Sequence, residues 1–417
     1  MRRGDSTKVD MNQAEPKSLE PSLALYGTAA STYFSDTLLW HFLFPYAVVL
    51  KTPFAQMGVM RSAVNLCQNI LQIGWGGLSE RIGKRIFVFM GYLSSGCLIG
   101  AFLLFQDSLQ LLSLIILQSI FWSAAIPAWN ALLGDYTRRE ARGRVLGRIG
   151  GVSRFTGVGA TLIVAIITYI APGEMSPSSF ITPFLLSAGA SLLGAFLVIF
   201  VKELKVKAGL REKVSVLSPM WDRDFRIFLL ANGLQWFSIA FAWPLFPYVT
   251  VDIVRATVWQ IAVIATLSGL AISLSQPKMG SLADVIGRKH LLIVGRFSFF
   301  LFPLLYAFAR SWLHLLAINV ALSVSMSAAM VTSTAYILDS APLGQRATYT
   351  ALYNVVFGLA TFLGSLIGGM FTDYLSHSYG MEQALFTGLM VSTILRLIMS
   401  AGFLAVKETL PKGEIKT

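Results

Sequence analysis

Three ionisable side chains stand inside apolar stretches of the sequence, where they could bind or exchange charged species. Asp36 lies in the stretch 23–50, Arg61 in 54–77 and Arg154 in 146–171. Charges at membrane depth are costly and are by default functional. A buried carboxylate can take up and release a proton, and an arginine can hold an anionic group. These residue types therefore indicate solute and proton binding within a membrane.

Polar residues at helical spacing extend these positions into candidate cavity walls. Arg61, Asn65, Gln68 and Gln72 fall on one stripe of a helix. A polar stripe on a spanning helix must face water or protein. The stripe of 319, 323 and 327 in a later helix has an equally good interpretation as a structural seam. The predicted substrate cavity consists of Asp36, Trp40, Arg61, Asn65, Gln68, Arg154, Asn232, Gln235, Asn319 and Ser323.

Three further basic residues at membrane depth receive no transport role. His41 lies roughly 140° around the helix from Asp36, so a histidine bonded to a carbonyl is favoured over a proton relay. Arg296 is about 10 Å from the end of its helix and is expected to snorkel. Arg396 lies deeper, and we expect it to pair with a neighbouring helix or a lipid. Gly150 and Gly157 share the face of Arg154 and would allow another helix to approach closely.

The composition excludes most soluble proteins. Of the 417 residues, 55% are apolar and only 13% are charged, whereas soluble domains carry about 25% charged residues. Mean hydropathy is +0.66. Only Cys67 and Cys97 occur, which excludes a disulfide framework and a cysteine metal site. The absence of a Ser/His/Asp set, an H-E-x-x-H sequence and a phosphate-binding glycine loop argues against an enzyme or an ATP-driven pump, so no cofactor or metal is expected.

Apolar runs long enough to cross a bilayer fill most of the chain. They are centred in 23–50, 54–77, 86–105, 109–133, 146–171, 180–201, 226–250, 257–279, 290–309, 313–337, 347–372 and 383–406. With both termini in the cytoplasm, the predicted external loops hold only Lys51, Arg255 and Arg310, as the positive-inside rule requires. The net charge of +12 then reflects orientation and lipid contact rather than nucleic-acid binding. We predict a multi-pass, monomeric protein of the cell membrane.

An internal repeat divides the chain into two halves. Residues 76–85 (GGLSERIGKR) recur as 280–289 (GSLADVIGRK), and Asp135 and Arg142 recur in the same register as Asp339 and Arg346. The repeat predicts an all-α integral membrane protein of twelve transmembrane helices in two pseudo-symmetric six-helix bundles. The expected parts are a cytoplasmic tail, 1–21; an N-terminal bundle, 22–201; a linker, 202–225; a C-terminal bundle, 226–406; and a second tail, 407–417.

The repeated decapeptide resembles the signature loop of the major facilitator superfamily, and the resemblance covers essentially the whole chain. It implies that superfamily's twelve-helix fold and alternating-access transport of a small solute. Glu80 stands where the family prefers Asp. By resemblance, Glu80 and Asp284 would latch the outward-facing state with Arg142 and Arg346 as partners; alternatively, the cations only enforce topology. The predicted latch comprises Gly76, Glu80, Arg81, Gly83, Lys84, Arg85, Asp135, Arg142, Gly280, Asp284, Gly287, Arg288, Lys289, Asp339 and Arg346.

The segment from Asp36 to Pro45 resembles the first helix of drug:proton antiporters in the same superfamily. By this resemblance Asp36 would be the protonation site; the alternative is an ionised Asp36 that neutralises an arginine. The glycine-proline pattern of that branch is missing from 155–160, and two arginines against one aspartate favour an anionic or neutral solute. We expect proton-coupled efflux of a small organic solute. Proton-coupled uptake of an organic anion and a transporter-like sensor remain alternatives.

Overall fold

Twelve long helical segments account for most of the computed structural model, which describes residues 20–136, 142–171, 173–203, 217–342 and 345–409. The first six are α1 (Leu23–Val49), α2 (54–82), α3 (Lys84–Ala101), α4 (Ser108–Asp135), α5 (Arg142–Ile170) and α6 (Pro177–Val198). The second six are α7 (Arg223–Ile253), α8 (Val258–Ile286), α9 (Arg288–Ala307), α10 (Trp312–Ser340), α11 (Arg346–Tyr379) and α12 (Met381–Ala405). The predicted all-α fold is confirmed.

Nine of the described helices, α4 to α12, are long and apolar enough to cross a membrane by length and composition, and the bent pair 74–82 and 84–101 would make a tenth. The helices α1 and α2 fall below that threshold because they carry the polar residues predicted to line a cavity. The walls of a water-filled path must be polar, and polar residues are concentrated on these two helices.

Three helices contain local breaks in regular α geometry. In α2, a π-helical stretch, Cys67–Leu71, separates Phe54–Leu66 from Gln72–Ile82. In α7, the helix ends at Phe241 and resumes at Phe246, just before Pro247, whose missing N–H cannot bond the carbonyl four residues earlier. In α9, a 3₁₀ turn, Ser298–Phe300, joins two α-helical pieces. Such breaks leave carbonyl groups that other side chains must satisfy.

The helices pack as two bundles that meet along two seams. In the first bundle α1 packs on α5 and α6, and α3 packs on α4 and α6; in the second, α8 packs on α10 and α7 packs on α11. Between the bundles, α2 lies against α11 and α5 lies against α8. Polar contacts cross both seams: the Ser62 hydroxyl donates to the Phe362 carbonyl (2.7 Å), and the Thr266 hydroxyl donates to the Thr161 hydroxyl (2.8 Å).

The two faces of the molecule differ in how the bundles meet. We call the face with the turns at Gly83 and Gly287, predicted to be cytoplasmic, the loop face, and the opposite one the outer face. One buried apolar cluster joins both bundles toward the outer face, from Leu38 and Met57 to Leu245 and Leu322. Toward the loop face, the described residues form a separate cluster in each bundle. Among the described residues, the apolar core is therefore continuous between the bundles at the outer face and divided between them at the loop face.

Candidate functional site

Asp36, Trp40 and Arg61 form a connected group where α1 meets α2. Asp36 lies about 20 Å along α1, is partly accessible and stands one turn before Trp40. The Arg61 guanidinium lies 5.5 Å from the Trp40 ring centroid and 3.3 Å from that of Phe44. A cation over an aromatic face is stabilised without a counter-ion. The aromatic rings thus hold Arg61 in place while leaving its charge available.

The charged residues of this site do not neutralise one another. Among the described residues, neither Arg61 nor Arg154 forms an ion pair with Asp36, and the Arg61 Nε atom is buried without a hydrogen-bond partner. Arg154 is partly accessible on α5. The interpretation in which Asp36 neutralises an arginine is therefore not the arrangement of this state. His41 bonds the Thr37 carbonyl through Nδ1 (2.7 Å), as expected.

The polar stripe of α2 continues through its π-helical stretch. Gln68 is partly accessible, whereas Asn65 is buried and its carbonyl accepts a hydrogen bond from the Asn69 amide (2.8 Å). A β-carbon at Gly358 of α11 would lie 2.6 Å from the Asn69 β-carbon, so the seam between α2 and α11 is tight at this depth. The predicted close approach on α5 occurs at Gly157, which packs on Tyr33 and Thr37, while Gly150 faces open space.

Asn232 and Gln235 lie inside the C-terminal bundle instead of on an accessible cavity wall. Both are buried and share their surroundings with Arg296. The Arg296 Nη2 donates to Asn232 Oδ1 and to the Ser333 hydroxyl, each at 2.7 Å, and Gln235 Nε2 donates to the Arg296 carbonyl (3.5 Å). The expectation that Arg296 snorkels is wrong, because Asn232 of α7 and Ser333 of α10 bind its Nη2 in the bundle interior, where the residue is only 1% exposed.

The polar stripe of α10 joins helices of its own bundle. The Asn319 amide donates to the Tyr306 hydroxyl (2.6 Å), and the Ser323 hydroxyl donates to the Ser268 carbonyl of α8 (3.3 Å). Ser323 is buried, and Asn319 is partly accessible. These bonds favour the structural-seam interpretation of α10.

Arg396 links the breaks of two helices. Its Nη1 donates to the Phe299 carbonyl in the 3₁₀ turn of α9, and its Nη2 donates to the Ile239 carbonyl just before the break of α7, both at 2.9 Å. The side chain is 2% exposed. The expected pairing with a neighbouring helix is confirmed, and the acceptors are carbonyl oxygens at two irregular stretches.

An aromatic wall on α7 and α11 was not predicted. The Trp236 indole donates to the Tyr353 hydroxyl (3.1 Å), and its ring contacts the Phe357 ring edge-on at 4.8 Å. All three side chains are partly accessible. The helical spacing of Tyr353 and Phe357 was a usable signal, but such a pair is as typical of a buried core. The wall offers apolar, stacking contacts in the C-terminal half.

The two repeated loops on the loop face have the same internal contacts. Gly83 (φ 135°) and Gly287 (φ 93°) adopt backbone conformations that favour glycine. Lys84 pairs with Asp135, and Arg288 pairs with Asp339, each at 2.6 Å. Each loop is therefore held to the end of α4 or α10 within its own bundle.

Two glutamates outside the predicted latch complete this arrangement. Glu203, beyond α6, accepts the Arg85 backbone N–H (2.8 Å), and Glu408, beyond α12, accepts those of Arg288 and Lys289 (3.0 Å each). A carboxylate at the start of a helix satisfies free N–H groups and favours the positive end of the dipole. The repeat of Val-Lys-Glu at 201–203 and 406–408 was the sequence signal for them.

The remaining latch residues lie near the same face. The Asp284 side chain is 67% exposed, and its closest ionic contact is Arg288 (3.6 Å); Glu80, Arg81 and Arg346 are exposed. Among the described residues, Asp284 and Arg346 do not pair with each other. The side chain of Arg142 lies outside the described residues. Gly76 and Gly280 approach Pro127 of α4 and Val331 of α10 at comparable distances.

A family model described as Major Facilitator Superfamily matches residues 25–229 and 228–417. The chain belongs to the major facilitator superfamily. Proteins of this superfamily are membrane transporters rather than enzymes.

Similar proteins in the superfamily differ in what they carry. The chain is 27% identical to the multidrug resistance protein MdtG of Escherichia coli strain 55989 over 247 residues, which are 57% of this chain and 58% of MdtG. It is 30% identical to the vacuolar membrane amino acid uptake transporter fnx2 of Schizosaccharomyces pombe over 114 residues, 27% of this chain and 20% of fnx2. The matches thus span less than two thirds of either relative.

Solved structures show the superfamily fold over nearly the whole chain. The nucleoside transporter NupG covers 91% of this chain and 98% of its own, with a TM-score of 0.73 and 12% identity. A bacterial homolog of the human lysosomal transporter Spinster, in its inward-facing and unoccupied conformation, covers 92% and 96% with a TM-score of 0.65 and 12% identity. At this identity the likeness concerns the fold alone.

Proposed function

We propose that this transporter exports a neutral or anionic organic solute in exchange for protons, with Asp36 as the protonation site. The observation that carries the proposal is the arrangement of Asp36, Trp40 and Arg61. Among the described residues, Asp36 is a partly accessible carboxylate that forms no ion pair, and Arg61, which lies over the Trp40 and Phe44 rings, forms none either. A carboxylate without a salt bridge can change its protonation state without breaking one. The similarity to MdtG supports export.

The charges of the site favour an anionic or neutral solute. With Arg61 and Arg154 against Asp36, the site is net positive whether or not Asp36 is protonated. A positive site stabilises an anionic group and disfavours a cation. The partly accessible aromatic residues of α7 and α11 would hold the apolar part of the same solute. The protein acts as a monomer in the cell membrane with both termini in the cytoplasm.

The loops at Gly83 and Gly287 serve as the latch of the alternate state. In the present state the apolar core of the described residues is divided between the bundles at the loop face, so a latch between them would be released here. The exposed Asp284 and Arg346 are then available to engage when the loop face closes. Asp284→Asn is expected to leave insertion intact and slow transport.

The proposal is tested in proteoliposomes with compounds found by a thermal-stability screen of purified protein, because a ligand that binds the folded state raises its melting temperature. With an imposed pH gradient, a hit should move against the proton flow. Asp36→Asn should bind the hit but move no protons. Asp107→Asn is the matched control, since Asp107 caps α4 at the outer face and Asn also caps. Unchanged pH dependence in Asp36→Asn would exclude Asp36 as the protonation site.

Proton-coupled uptake of an organic anion is the second candidate, favoured by the two arginines without carboxylate partners. The same vesicles separate the two functions, because uptake would carry the solute and the proton in the same direction. Acidification of the lumen by added solute would indicate uptake.

A further inference from the structure

A second cavity opens on the outer face, away from the site around Asp36. Its volume is about 700 Å³, and its walls come from both bundles. The turn after α1 contributes Lys51 and Thr52, while the end of α7, the turn after it and the end of α11 contribute Asp252, Arg255 and Asp373. This volume lies within the range of small-molecule sites. We call it the outer pocket.

The floor of the outer pocket consists of contacts between the bundles. The Tyr248 hydroxyl donates to the Thr52 carbonyl, and the Phe54 and Tyr248 rings lie 4.2 Å apart. Nearby, the Ala55 backbone N–H donates to Asp373 Oδ1 (3.4 Å). Opening of the outer face would separate these groups and the walls themselves. The outer pocket therefore exists only while the outer face is closed.

Polar groups of both signs line the pocket without being paired. Among the described residues, Lys51, Arg255 and Asp252 form no ion pair, and the Thr52 hydroxyl is buried without a hydrogen-bond partner. Lys51 (φ 56°) and Arg255 (φ 55°) both adopt the left-handed conformation at corresponding turns of the two halves, which strains a non-glycine residue. The exposed cations thus sit at strained positions on the rim.

Asp373 and His377 complete the charged surroundings on the α11 side. Asp373 already accepts the Ala55 N–H, and His377 bonds the Asp373 carbonyl through Nδ1 (2.8 Å). Asp252 is then the carboxylate that remains available to contact a cationic group of a ligand, while Lys51 and Arg255 can contact an anionic group. Two cations and two carboxylates balance, so the pocket matches a ligand that carries both signs.

We propose that the outer pocket binds a small zwitterion, whose carboxylate contacts Lys51 and Arg255 and whose ammonium group contacts Asp252, and that this binding holds the outer face closed. A ligand that binds only one of two states shifts their ratio toward that state. At ten times its Kd, the ratio of closed to open molecules should rise about 11-fold. A zwitterion on the outer side would thus slow the return to the outward-facing state.

The probe is triglycine, compared with N-acetyltriglycine, which lacks the ammonium group, and triglycine amide, which lacks the carboxylate. Binding to the full-length protein in nanodiscs is measured by calorimetry. We expect both blocked peptides to bind at least about 10-fold more weakly than triglycine, as each loses a charge-assisted contact. No triglycine binding, or equal binding of the three, would overturn the proposal.

Variants locate the site. The double variant Lys51→Gln/Arg255→Gln and the single variant Asp252→Asn should each weaken triglycine binding. Arg310→Gln should not, since Arg310 is on the same face but pairs with Glu382 outside the pocket. Asp36→Asn and Arg61→Ala should also bind normally; loss of binding in either would place the zwitterion in the central site and refute the outer pocket, whatever becomes of the proposed function.

Spin labels at Gln106 and His314, both exposed on the outer face in different bundles, report its opening. They are attached in a Cys67→Ala/Cys97→Ser background, which removes the two native thiols. Saturating triglycine should increase the short-distance, closed population. Binding with an unchanged distance distribution would contradict the coupling to closure.

Discussion

Replacement of Gly58 by alanine should open the outer face without unfolding either bundle. A β-carbon at Gly58 of α2 would lie 2.7 Å from the Ser365 carbonyl oxygen and 3.0 Å from the Gly369 α-carbon of α11. Since optimal carbon contacts are about 3.5–4.0 Å, the two helices must separate by roughly 0.7 Å. Such overpacking costs about 1–3 kcal/mol. The gain in helix propensity from glycine to alanine applies to both states and cancels in their ratio.

Because Gly58 contacts α11 only while the bundles are together at the outer face, the cost of the added β-carbon falls on the outer-closed state. A difference of about 1–3 kcal/mol changes the ratio of states about 5- to 150-fold. The spin labels at Gln106 and His314 should therefore show a larger long-distance population. The matched control is Gly91→Ala, where the β-carbon would lie 2.6 Å from that of Ala125 within the N-terminal bundle.

The two variants should affect different measurements. Gly91→Ala should lower the melting temperature with unchanged label distances, whereas Gly58→Ala should change the distances. If Gly58→Ala lowers the melting temperature as Gly91→Ala does and leaves the distances unchanged, the contact between α2 and α11 does not control outer closure.

Three further changes test contacts of the site and its supports. Arg61→Ala should weaken the binding of anionic screen hits at least about 10-fold and leave the binding of neutral hits unchanged. Equal losses for both classes would show that Arg61 does not act through its charge. Glu408→Gln should lower the free energy of unfolding by about 1–2 kcal/mol, measured by thermal denaturation. Glu203→Gln should lower it by less, because Glu203 bonds one N–H of the helix that it caps, whereas Glu408 bonds two and also the Thr409 N–H. The reverse order would contradict the capping role. Arg396→Lys should destabilise by about 1–3 kcal/mol, because a lysine lacks the planar fork that reaches both carbonyls; a lysine variant as stable as the native protein would disprove the bridge.

The sequence predicts the fold well because the signals for it are local. Apolar length, the distribution of Lys and Arg and the repeat at 76–85 and 280–289 each depend only on residue order. The direction in which a helix face points, in contrast, does not depend only on residue order. Asn232 and Gln235 were correctly placed together on α7, but their face meets Arg296 inside the bundle. Likewise, Arg296 lies near a helix end, yet Asn232 and Ser333 hold it inside, which its distance from that end could not reveal.

The breaks within helices were the other part that the sequence hid. The α9 turn at Ser298–Phe300 contains no glycine or proline, and the π-helical stretch of α2 contains neither. Their cause lies in packing: the Phe299 carbonyl faces Arg396, and Asn69 faces Gly358. Tertiary contacts of this kind override local propensity.

The contacts between the bundles are weaker in kind than those within them. Every ion pair between described residues lies inside one bundle, as does each buried arginine of the C-terminal half. Across the seams, the hydrogen bonds between described residues are three neutral ones, made by Ser62, Thr266 and Tyr248, and one from the Ala55 N–H to the Asp373 carboxylate. Neutral hydrogen bonds contribute about 0.5–1.5 kcal/mol each. A seam of a few such bonds can open and close with the binding energy of one solute, whereas the ionic contacts and capped helices keep each bundle rigid while it moves.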